Sequence, residues 1–260
     1  MKNQIFITLD SLRWDVFSQL PPKSFLRRLG KWCKAFTQGT YTFPAHLSFF
    51  VGKLPQAFNR LNFVDTAATR IGKSRGTQLW EVSNPETKRS SLYKLDGTTI
   101  ISGFANCGYV TLGTGAVNWF NPKTPGGEFL TQFFQKFKFF GSLEYAEQQV
   151  DWAIKETQHL AHPFFLFINF GETHHPFVHR GCCANRSHNP YGNRRECLER
   201  QLASLKFLDV QIQRLLTTLK NFDLVICSDH GEVLGENGLW GHGFYHPKVM
   251  QIPLLVKVSK

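Results

Sequence analysis

The chain has 260 residues, of which 42% are hydrophobic and 19% are charged, and its formal net charge is +11. These proportions exclude a disordered chain, and we interpret residues 1–260 as a single domain. No apolar run approaches the ~18 residues that a membrane span needs. The positive charge favours an anionic partner, and phosphate esters, nucleic acid and acidic lipid all meet this condition.

The six cysteines are scattered and form no CxxC pair, which is not the pattern of a disulfide framework. An apolar segment begins directly after the first four residues and leaves no room for the apolar stretch of a signal peptide. We therefore expect a reduced, cytoplasmic protein. The composition does not indicate an oligomeric state.

Short apolar runs alternate with segments of helical periodicity along the chain. We predict strands over residues 5–9, 109–112, 164–168, 223–227 and 252–258. We predict helices over residues 24–34, 44–51, 98–106, 143–160 and 195–219, with long loops over 55–97 and 177–195. This alternation predicts an α/β domain, a three-layer αβα sandwich around a mostly parallel sheet.

Polar side chains with metal-binding or nucleophilic chemistry follow several of these strands. The first strand is followed by Asp10, the third by His174 and His175, and the fourth by Asp229 and His230. Open α/β sheets place their ligands at the carboxyl ends of the strands, so we expect these side chains to converge. His242 follows later, and Thr42 precedes the helix predicted to start at Pro44.

Mixed aspartate and histidine ligation suits Zn²⁺ or Mn²⁺ better than Ca²⁺ or Mg²⁺. A hydroxyl held at such a metal loses its proton more easily and becomes a nucleophile. Taken singly, each residue has a simpler explanation. Asp10 could be a helix cap, Thr42 could be a helix N-cap, and His174 and His175 could be surface side chains.

The ordered set resembles the alkaline phosphatase and sulfatase superfamily of metal-dependent hydrolases and transferases. The segment DSLRWD at residues 10–15 resembles the first metal-binding segment of that family, and TFPAHLS at 42–48 with GKLP at 52–55 resembles its nucleophile segment. The most specific piece is SDHGEVLGENG at 228–238, which closely resembles the corresponding stretch of phosphoethanolamine transferases. The resemblance spans nearly the whole chain.

The resemblance implies a role for each matching residue. Asp10, Asp229 and His230 would hold the principal metal together with the oxygen of Thr42, the catalytic nucleophile. His174 and His242 would complete a second metal site or contact the transferring group. His174 is preferred to His175 because the family pattern places a histidine two residues before the proline. Glu232 would orient its neighbours.

The resemblance also has departures. Sulfatases use a formylglycine made from Cys or Ser at the nucleophile position, and Thr42 cannot be converted to that aldehyde. Ser11 stands where many sulfatases have a second aspartate. The chain ends soon after Leu255, so we expect the usual C-terminal subdomain and the membrane anchors of phosphoethanolamine transferases to be missing.

The leading hypothesis is a hydrolase of phosphate mono- or diesters that forms a covalent phosphothreonine at Thr42, with one or two Zn²⁺ or Mn²⁺ ions as cofactor. In it, His46 or His175 contacts the substrate, donating to a phosphoryl oxygen or protonating the leaving group. A phosphoryl-group transferase similar to phosphoethanolamine transferases and a sulfate-ester hydrolase remain as alternatives.

A non-catalytic protein that binds anions or nucleic acid is the alternative from another class. It would use two basic clusters. The first consists of Lys23, Arg27, Arg28, Lys31 and Lys34, and the second of Arg180, Arg186, Arg194, Arg195 and Arg200. Charge runs are more often solvated faces, so nucleic acid is the less favoured partner and a small anionic ester the preferred one.

Overall fold

A seven-stranded sheet forms the centre of the computed structural model, which describes residues 1–52, 98–182 and 188–258. The strands of this sheet are β1 (Asn3–Leu9), β2 (Cys33–Phe36), β3 (Val110–Gly115), β4 (Lys136–Phe139), β5 (Phe164–Phe170), β6 (Phe222–Ser228) and β9 (Gln251–Lys257), and β7 (Val233–Leu234) and β8 (Trp240–Gly241) form a separate ribbon. The strand order is β2-β9-β6-β1-β5-β3-β4. Five neighbouring strands, β6 to β4 in this order, are parallel, whereas β9 and β2 are antiparallel to their neighbours.

Helices cover both faces of the sheet. They are α1 (Trp14–Phe17), α2 (Phe25–Leu29), α3 (Thr42–Val51), α4 (Ile100–Asn106), α5 (Pro125–Thr131), α6 (Ala146–Thr157), α7 (Arg194–Thr218) and α8 (Pro247–Met250). Helices α1, α2, α6 and α7 pack in one hydrophobic cluster, and α3, α4 and α5 pack in the other. The predicted three-layer αβα sandwich with a mostly parallel sheet is thus confirmed.

Strand β5 shows why the two layers form. All seven of its residues are buried, as expected for a central parallel strand covered on both faces. Successive side chains of a strand point to opposite faces. Accordingly, Leu166 and Ile168 belong to the cluster under α6 and α7, whereas Phe165 and Phe167 belong to the cluster under α3 to α5.

The register of the three central strands positions the candidate site. Leu9, the last residue of β1, pairs with Phe170 on one side and with Ser228 on the other. The three strands therefore end at the same level, and the segments that follow them leave the sheet side by side. This is the arrangement that the sequence predicted for Asp10, His174 and Asp229.

Two parts of the sequence prediction are wrong at the edges of the sheet. The helix predicted over residues 24–34 ends at Leu29, and Cys33–Phe36 instead forms β2 by pairing with β9. Strand β4 was not predicted at all. Both strands have only four residues, all of them exposed or half-buried, so they lack the apolar run that identifies a central strand.

The other predicted helices and strands fall close to their observed positions, whereas α1, α5, α8, β7 and β8 were not predicted. Two predicted features extend beyond the described residues. The whole of the loop predicted over 55–97 lies outside the described residues, as do Lys53, Leu54 and residues 183–187. Among the residues that the structure describes, no helix is both long and apolar enough to cross a bilayer.

Candidate active site

Four side chains meet where β1 and β6 end and α3 begins, and we call Asp10, Thr42, Asp229 and His230 the inner cluster. All four residues are buried. The Thr42 hydroxyl lies 3.3 Å from Asp10 Oδ2 and 3.5 Å from His230 Nε2. The same His230 nitrogen lies 3.8 Å from Asp10 Oδ1 and 3.6 Å from Asp229 Oδ2. The sequence-predicted residues of the principal site are thus brought together.

The Asp229 carboxylate is held by one oxygen and leaves the other without a partner. Its Oδ1 accepts hydrogen bonds from the backbone N–H groups of Ser11, at 3.1 Å, and His230, at 2.9 Å. Its Oδ2 is buried and accepts no hydrogen bond from the described residues. A buried carboxylate oxygen without a donor is costly unless a cation pairs with it.

Thr42 is the first residue of α3, and the N-cap position belongs to Tyr41, which makes no side-chain cap hydrogen bond. The Thr42 hydroxyl therefore does not cap its own helix and faces Asp10 instead. Asp10 likewise does not cap α1, which begins only at Trp14 and has Arg13 at its N-cap position. The simpler explanations considered for these two residues do not apply.

His230 presents one ring nitrogen to the inner cluster. Its Nδ1 donates to the carbonyl oxygen of Gly231 at 2.8 Å, which leaves the Nε2 lone pair facing Thr42 and the two carboxylates. Burial, together with the charge of His242, lowers the pKa of His230 to about 3, so the ring is neutral. Gly231 is required here because a Cβ atom at this position would lie 2.0 Å from the carbonyl oxygen of Lys248.

His46 lies behind the inner cluster, fully buried. Its Nδ1 donates to the carbonyl oxygen of Thr42 at 2.7 Å, and its Nε2 accepts from the Thr8 hydroxyl at 3.0 Å. Burial lowers the pKa of His46 to about 4, so it is also neutral. With both ring nitrogens occupied, this position favours support of the Thr42 backbone over the predicted contact with substrate.

Asn169 is a polar residue of this site that the sequence analysis missed. It lies near the end of β5, and its amide donates to the Thr8 hydroxyl at 3.2 Å and to Asp10 Oδ2 at 3.3 Å. A single polar residue in an otherwise apolar strand, FFLFINF, is the signal that could have identified it.

A second group, Glu232, His242 and His174, lies beside the first, and we call it the outer cluster. His242 Nδ1 donates to Glu232 Oε2 at 2.8 Å, and the Tyr191 hydroxyl donates to the other oxygen of Glu232. The His242 ring lies 4.4 Å from that of His230 and 5.4 Å from that of His174, measured between ring centroids. Glu232 thus orients His242, as the resemblance implied.

The two adjacent histidines of the β5 loop point in different directions. His174 Nδ1 donates to the carbonyl oxygen of His175 at 2.7 Å, which leaves its Nε2 free, and its ring lies beside His242. His175 donates from Nε2 to Asn189 at 2.8 Å and stacks on Tyr191 with the ring centroids 4.1 Å apart. This geometry favours His174 over His175 for the outer cluster.

Charge is distributed differently in the two clusters. Burial raises the pKa of Asp229 to about 6, and burial together with the nearby Asp229 raises the pKa of Asp10. In the outer cluster, burial is outweighed by the ion pair. The ion pair between Glu232 and His242 lowers the pKa of Glu232 to about 2 and raises that of His242 to about 9. Among the described residues, the inner cluster therefore contains no positively charged side chain, whereas the outer cluster contains the protonated His242.

The family model described as Sulfatase matches residues 2–260. The chain belongs to the Sulfatase family. A search of curated protein sequences finds no significant match.

Several solved structures of alkaline phosphatase-like proteins are similar to this Sulfatase-family chain in fold. The C-terminal periplasmic domain of EptC from Escherichia coli, in a complex with Zn, is 15% identical with a TM-score of 0.68, and the alignment covers 100% of this chain and 73% of that one. The putative sulfatase yidJ from Bacteroides fragilis is 15% identical with a TM-score of 0.63, and the alignment covers 98% of this chain and 68% of that one. The phosphonate monoester hydrolase of Agrobacterium radiobacter is 14% identical with a TM-score of 0.61, and the alignment covers 98% of this chain and 68% of that one.

The donor atoms of this Sulfatase-family site fit a divalent metal. Among the described residues, two groups offer ligand atoms within 4.8 Å of one another. They are Asp10, Asp229 and His230, and His230, Glu232 and His242. Carboxylate oxygens with a neutral imidazole nitrogen are a donor set of zinc and manganese proteins. The orphaned Asp229 Oδ2 makes the first group the better fit.

Proposed function

We propose that this protein is a metal-dependent hydrolase of phosphate esters in which Thr42 is the nucleophile. The observation that carries the proposal is the position of the Thr42 hydroxyl, 3.3 Å from Asp10 Oδ2 within a buried group whose Asp229 Oδ2 accepts no hydrogen bond from the part of the chain that the structure describes. A hydroxyl beside carboxylates and a neutral imidazole is suited to metal-assisted nucleophilic attack.

Asp10, Asp229, His230 and the Thr42 oxygen would hold a Zn²⁺ or Mn²⁺ ion. The bound ion would supply positive charge that lowers the pKa of the Thr42 hydroxyl and offsets the charge of the phosphoryl oxygens. Asn169 and the backbone N–H groups of Ser11 and His230 keep the two carboxylates in place for this task. Pre-set ligands of this kind avoid reorganisation during the reaction.

In the first half of the reaction, the Thr42 oxygen forms a bond to phosphorus while the bond from phosphorus to the leaving alcohol breaks. The Thr42 hydroxyl, which donates to Asp10 Oδ2, loses its proton to solvent, so that Asp10 stays a deprotonated ligand. His242, which stays protonated at neutral pH because Glu232 raises its pKa to about 9, donates a proton to the leaving oxygen.

In the second half, water attacks the phosphothreonine and gives one proton to the neutral His242. The bond between phosphorus and the Thr42 oxygen breaks, and that oxygen recovers its proton from solvent. The net reaction converts one ester and one water into an alcohol and a phosphate, and each residue returns to its starting state.

The test is to trap the covalent intermediate. Protein mixed with p-nitrophenyl phosphate and quenched in acid should gain the mass of one phosphoryl group on the peptide that contains Thr42. Thr42→Ser should still be labelled, whereas Thr42→Val, which keeps the shape and removes the hydroxyl, should not be. We expect Thr42→Val to reduce the rate by at least about 10³-fold. Hydrolysis by Thr42→Val at the wild-type rate would disprove the nucleophile.

A phosphoryl-group transferase is the second candidate, and the similarity in fold to EptC, a phosphoethanolamine transferase, favours it. Product analysis with alcohol or amine acceptors separates the two, because a transferase would form a new ester or amidate at the expense of free phosphate. Parallel assays with p-nitrophenyl sulfate test for sulfate-ester hydrolysis.

The described arginines of the second basic cluster give little support to nucleic-acid binding. Each of them pairs with a glutamate: Arg180 with Glu147, Arg194 with Glu236, Arg195 with Glu199 and Arg200 with Glu196. Arg186 lies outside the described residues. Arginines already paired with carboxylates are poorly placed to neutralise a phosphate backbone.

A further inference from the structure

Gln201 lies in the second turn of α7 and is completely buried. It stands on the apolar side of this helix, four residues after Cys197 and four before Leu205, which are both buried. A glutamine in such a stripe needs hydrogen-bond partners. Its partners lie in the loops that carry the candidate metal ligands.

The Gln201 side-chain nitrogen donates two hydrogen bonds. One reaches the carbonyl oxygen of Ser11 and the other that of Thr173, both at 2.9 Å. An amide nitrogen has two hydrogens, so both are used. Since both acceptors are carbonyl oxygens, no carboxylate or thioether could replace this group.

Ser11 connects Gln201 to the inner cluster. Its backbone has a φ of 60°, a left-handed conformation that is unfavourable for a residue other than glycine. In this conformation its N–H points at Asp229 Oδ1, 3.1 Å away, while its C=O points at Gln201. If the residue relaxed to an ordinary conformation, both hydrogen bonds would break together.

The contact with Thr173 extends the connection to the β5 loop. The Thr173 hydroxyl donates to the carbonyl oxygen of Asp10 at 2.7 Å, so the β1 and β5 loops are joined twice. His174, the next residue, belongs to the outer cluster. One side chain of α7 therefore restrains the loops of two neighbouring strands.

We infer that Gln201 is a positioning residue for the metal centre, holding Ser11 in the conformation that fixes the Asp229 carboxylate with its unpartnered oxygen directed at the site. Gln201 touches neither substrate nor metal and acts through the Ser11 backbone. The inference rests on the metal site of the proposed function.

The experiment measures the affinity for Zn²⁺ by competition with a chromophoric chelator. Gln201→Met keeps the length of the side chain and removes both donors. Gln201→Asn is a milder variant that keeps the amide but is one methylene too short to reach both carbonyls. The matched control is Gln211→Met, a buried glutamine about 15 Å further along the same helix. Unfolding in urea with EDTA present verifies that each variant is folded without metal.

We expect Gln201→Met to weaken zinc binding by at least about tenfold, as loss of groups that orient metal ligands typically does. Gln201→Asn should lie between wild type and Gln201→Met, and Gln211→Met should bind zinc like the wild type. In a Ser11→Gly background the loss caused by Gln201→Met should shrink, because glycine adopts a positive φ without strain.

Equal zinc affinity for the folded Gln201→Met variant and the wild type would overturn the inference and leave the proposed metal site standing. The inference would also be overturned, with the metal site standing, if Gln201→Met and Gln211→Met weakened zinc binding equally. It would likewise be overturned if Gln201→Met reduced zinc affinity by the same factor in the Ser11→Gly background as in the wild type. A wild-type protein that binds no zinc would overturn both the inference and the proposed function.

Discussion

The inner and outer clusters lie side by side, yet their charges are balanced in opposite ways. In the inner cluster two buried carboxylates face a neutral histidine, and Asp229 Oδ2 accepts no hydrogen bond from any described residue. In the outer cluster the protonated His242 already pairs with Glu232. A site that lacks a cation is suited to bind one, and a site that contains an ion pair is suited to move a proton. On this difference we propose that the metal binds at the inner cluster and that the outer cluster supplies acid–base chemistry.

Asp229→Asn breaks the inner cluster and should have the largest effect. The amide removes the negative charge and places either a weak ligand or an N–H group at the position of Oδ2. We expect loss of zinc and of phosphatase activity by at least about 10³-fold. Activity would be followed with p-nitrophenyl phosphate over a range of added Zn²⁺ and Mn²⁺. A variant that keeps full activity would contradict the assignment.

Arg13→Met tests how much the ion pairs of Arg13, which also bonds to the Glu232 backbone, contribute to stability. The buried Arg13 donates to Asp15 and Glu236 and to the carbonyl oxygen of Glu232. Removing one partner of a buried ion pair typically costs about 3 kcal/mol or more. We expect about 3 kcal/mol less stability in urea unfolding of the metal-free protein.

The matched control for Arg13→Met is Arg214→Met. Arg214 makes an exposed ion pair with Asp151, and exposed pairs contribute at most about 1 kcal/mol. Equal losses for the two variants would show that the buried ion pair contributes no more than a surface one.

Glu232→Gln separates the two clusters functionally. Since Glu232 raises the pKa of His242 to about 9, its loss should lower that pKa and leave the inner ligands in place. The decline of activity at alkaline pH should then start at a lower pH, with about 10- to 100-fold less activity at pH 8. Zinc affinity should change little. An unchanged pH profile together with lost zinc would indicate that Glu232 belongs to the metal site.

Glu172→Gln probes a buried carboxyl outside both clusters. Burial raises the pKa of Glu172 from 4.5 to about 8, so between these values the folded state binds more protons than the unfolded state. This contribution to stability is complete below pH 4.5 and is lost as the pH rises to about 8. From pH 6 to pH 7, metal-free wild type should lose about 1 kcal/mol relative to Glu172→Gln. Parallel stability curves in urea would contradict the shift.

The sequence was sufficient to place three residues of the inner cluster at one edge of the sheet. Asp10, Asp229 and His230 follow β1 and β6, and parallel neighbouring strands end at one edge of the sheet. Thr42 instead begins α3, and its role as nucleophile, like the grouping of the four residues at one metal, came from the resemblance to the superfamily.

The outer cluster could be predicted only in part, because its contacts depend on tertiary structure. Glu232 and His242 are ten residues apart in sequence and meet because β7 and β8 pair, with Val233 opposite Gly241. Tyr191 reaches Glu232 from the segment before α7. Two-residue strands carry no periodicity that the sequence could reveal.

His46 and Gln201 show a second limit. His46 lies one helical turn after Thr42 and bonds to its carbonyl oxygen, and a histidine in that position looks the same in sequence as one that faces substrate. Gln201 contacts two backbone carbonyls rather than side chains. Such contacts depend on backbone geometry and leave no residue pattern.

Metal content tests the account most directly. Elemental analysis after zinc loading and buffer exchange would compare wild type, Asp10→Asn and His242→Gln. We expect a single tightly bound ion per chain in wild type, the same in His242→Gln, and none in Asp10→Asn. Loss of the ion in His242→Gln together with its retention in Asp10→Asn would place the metal in the outer cluster and contradict the account.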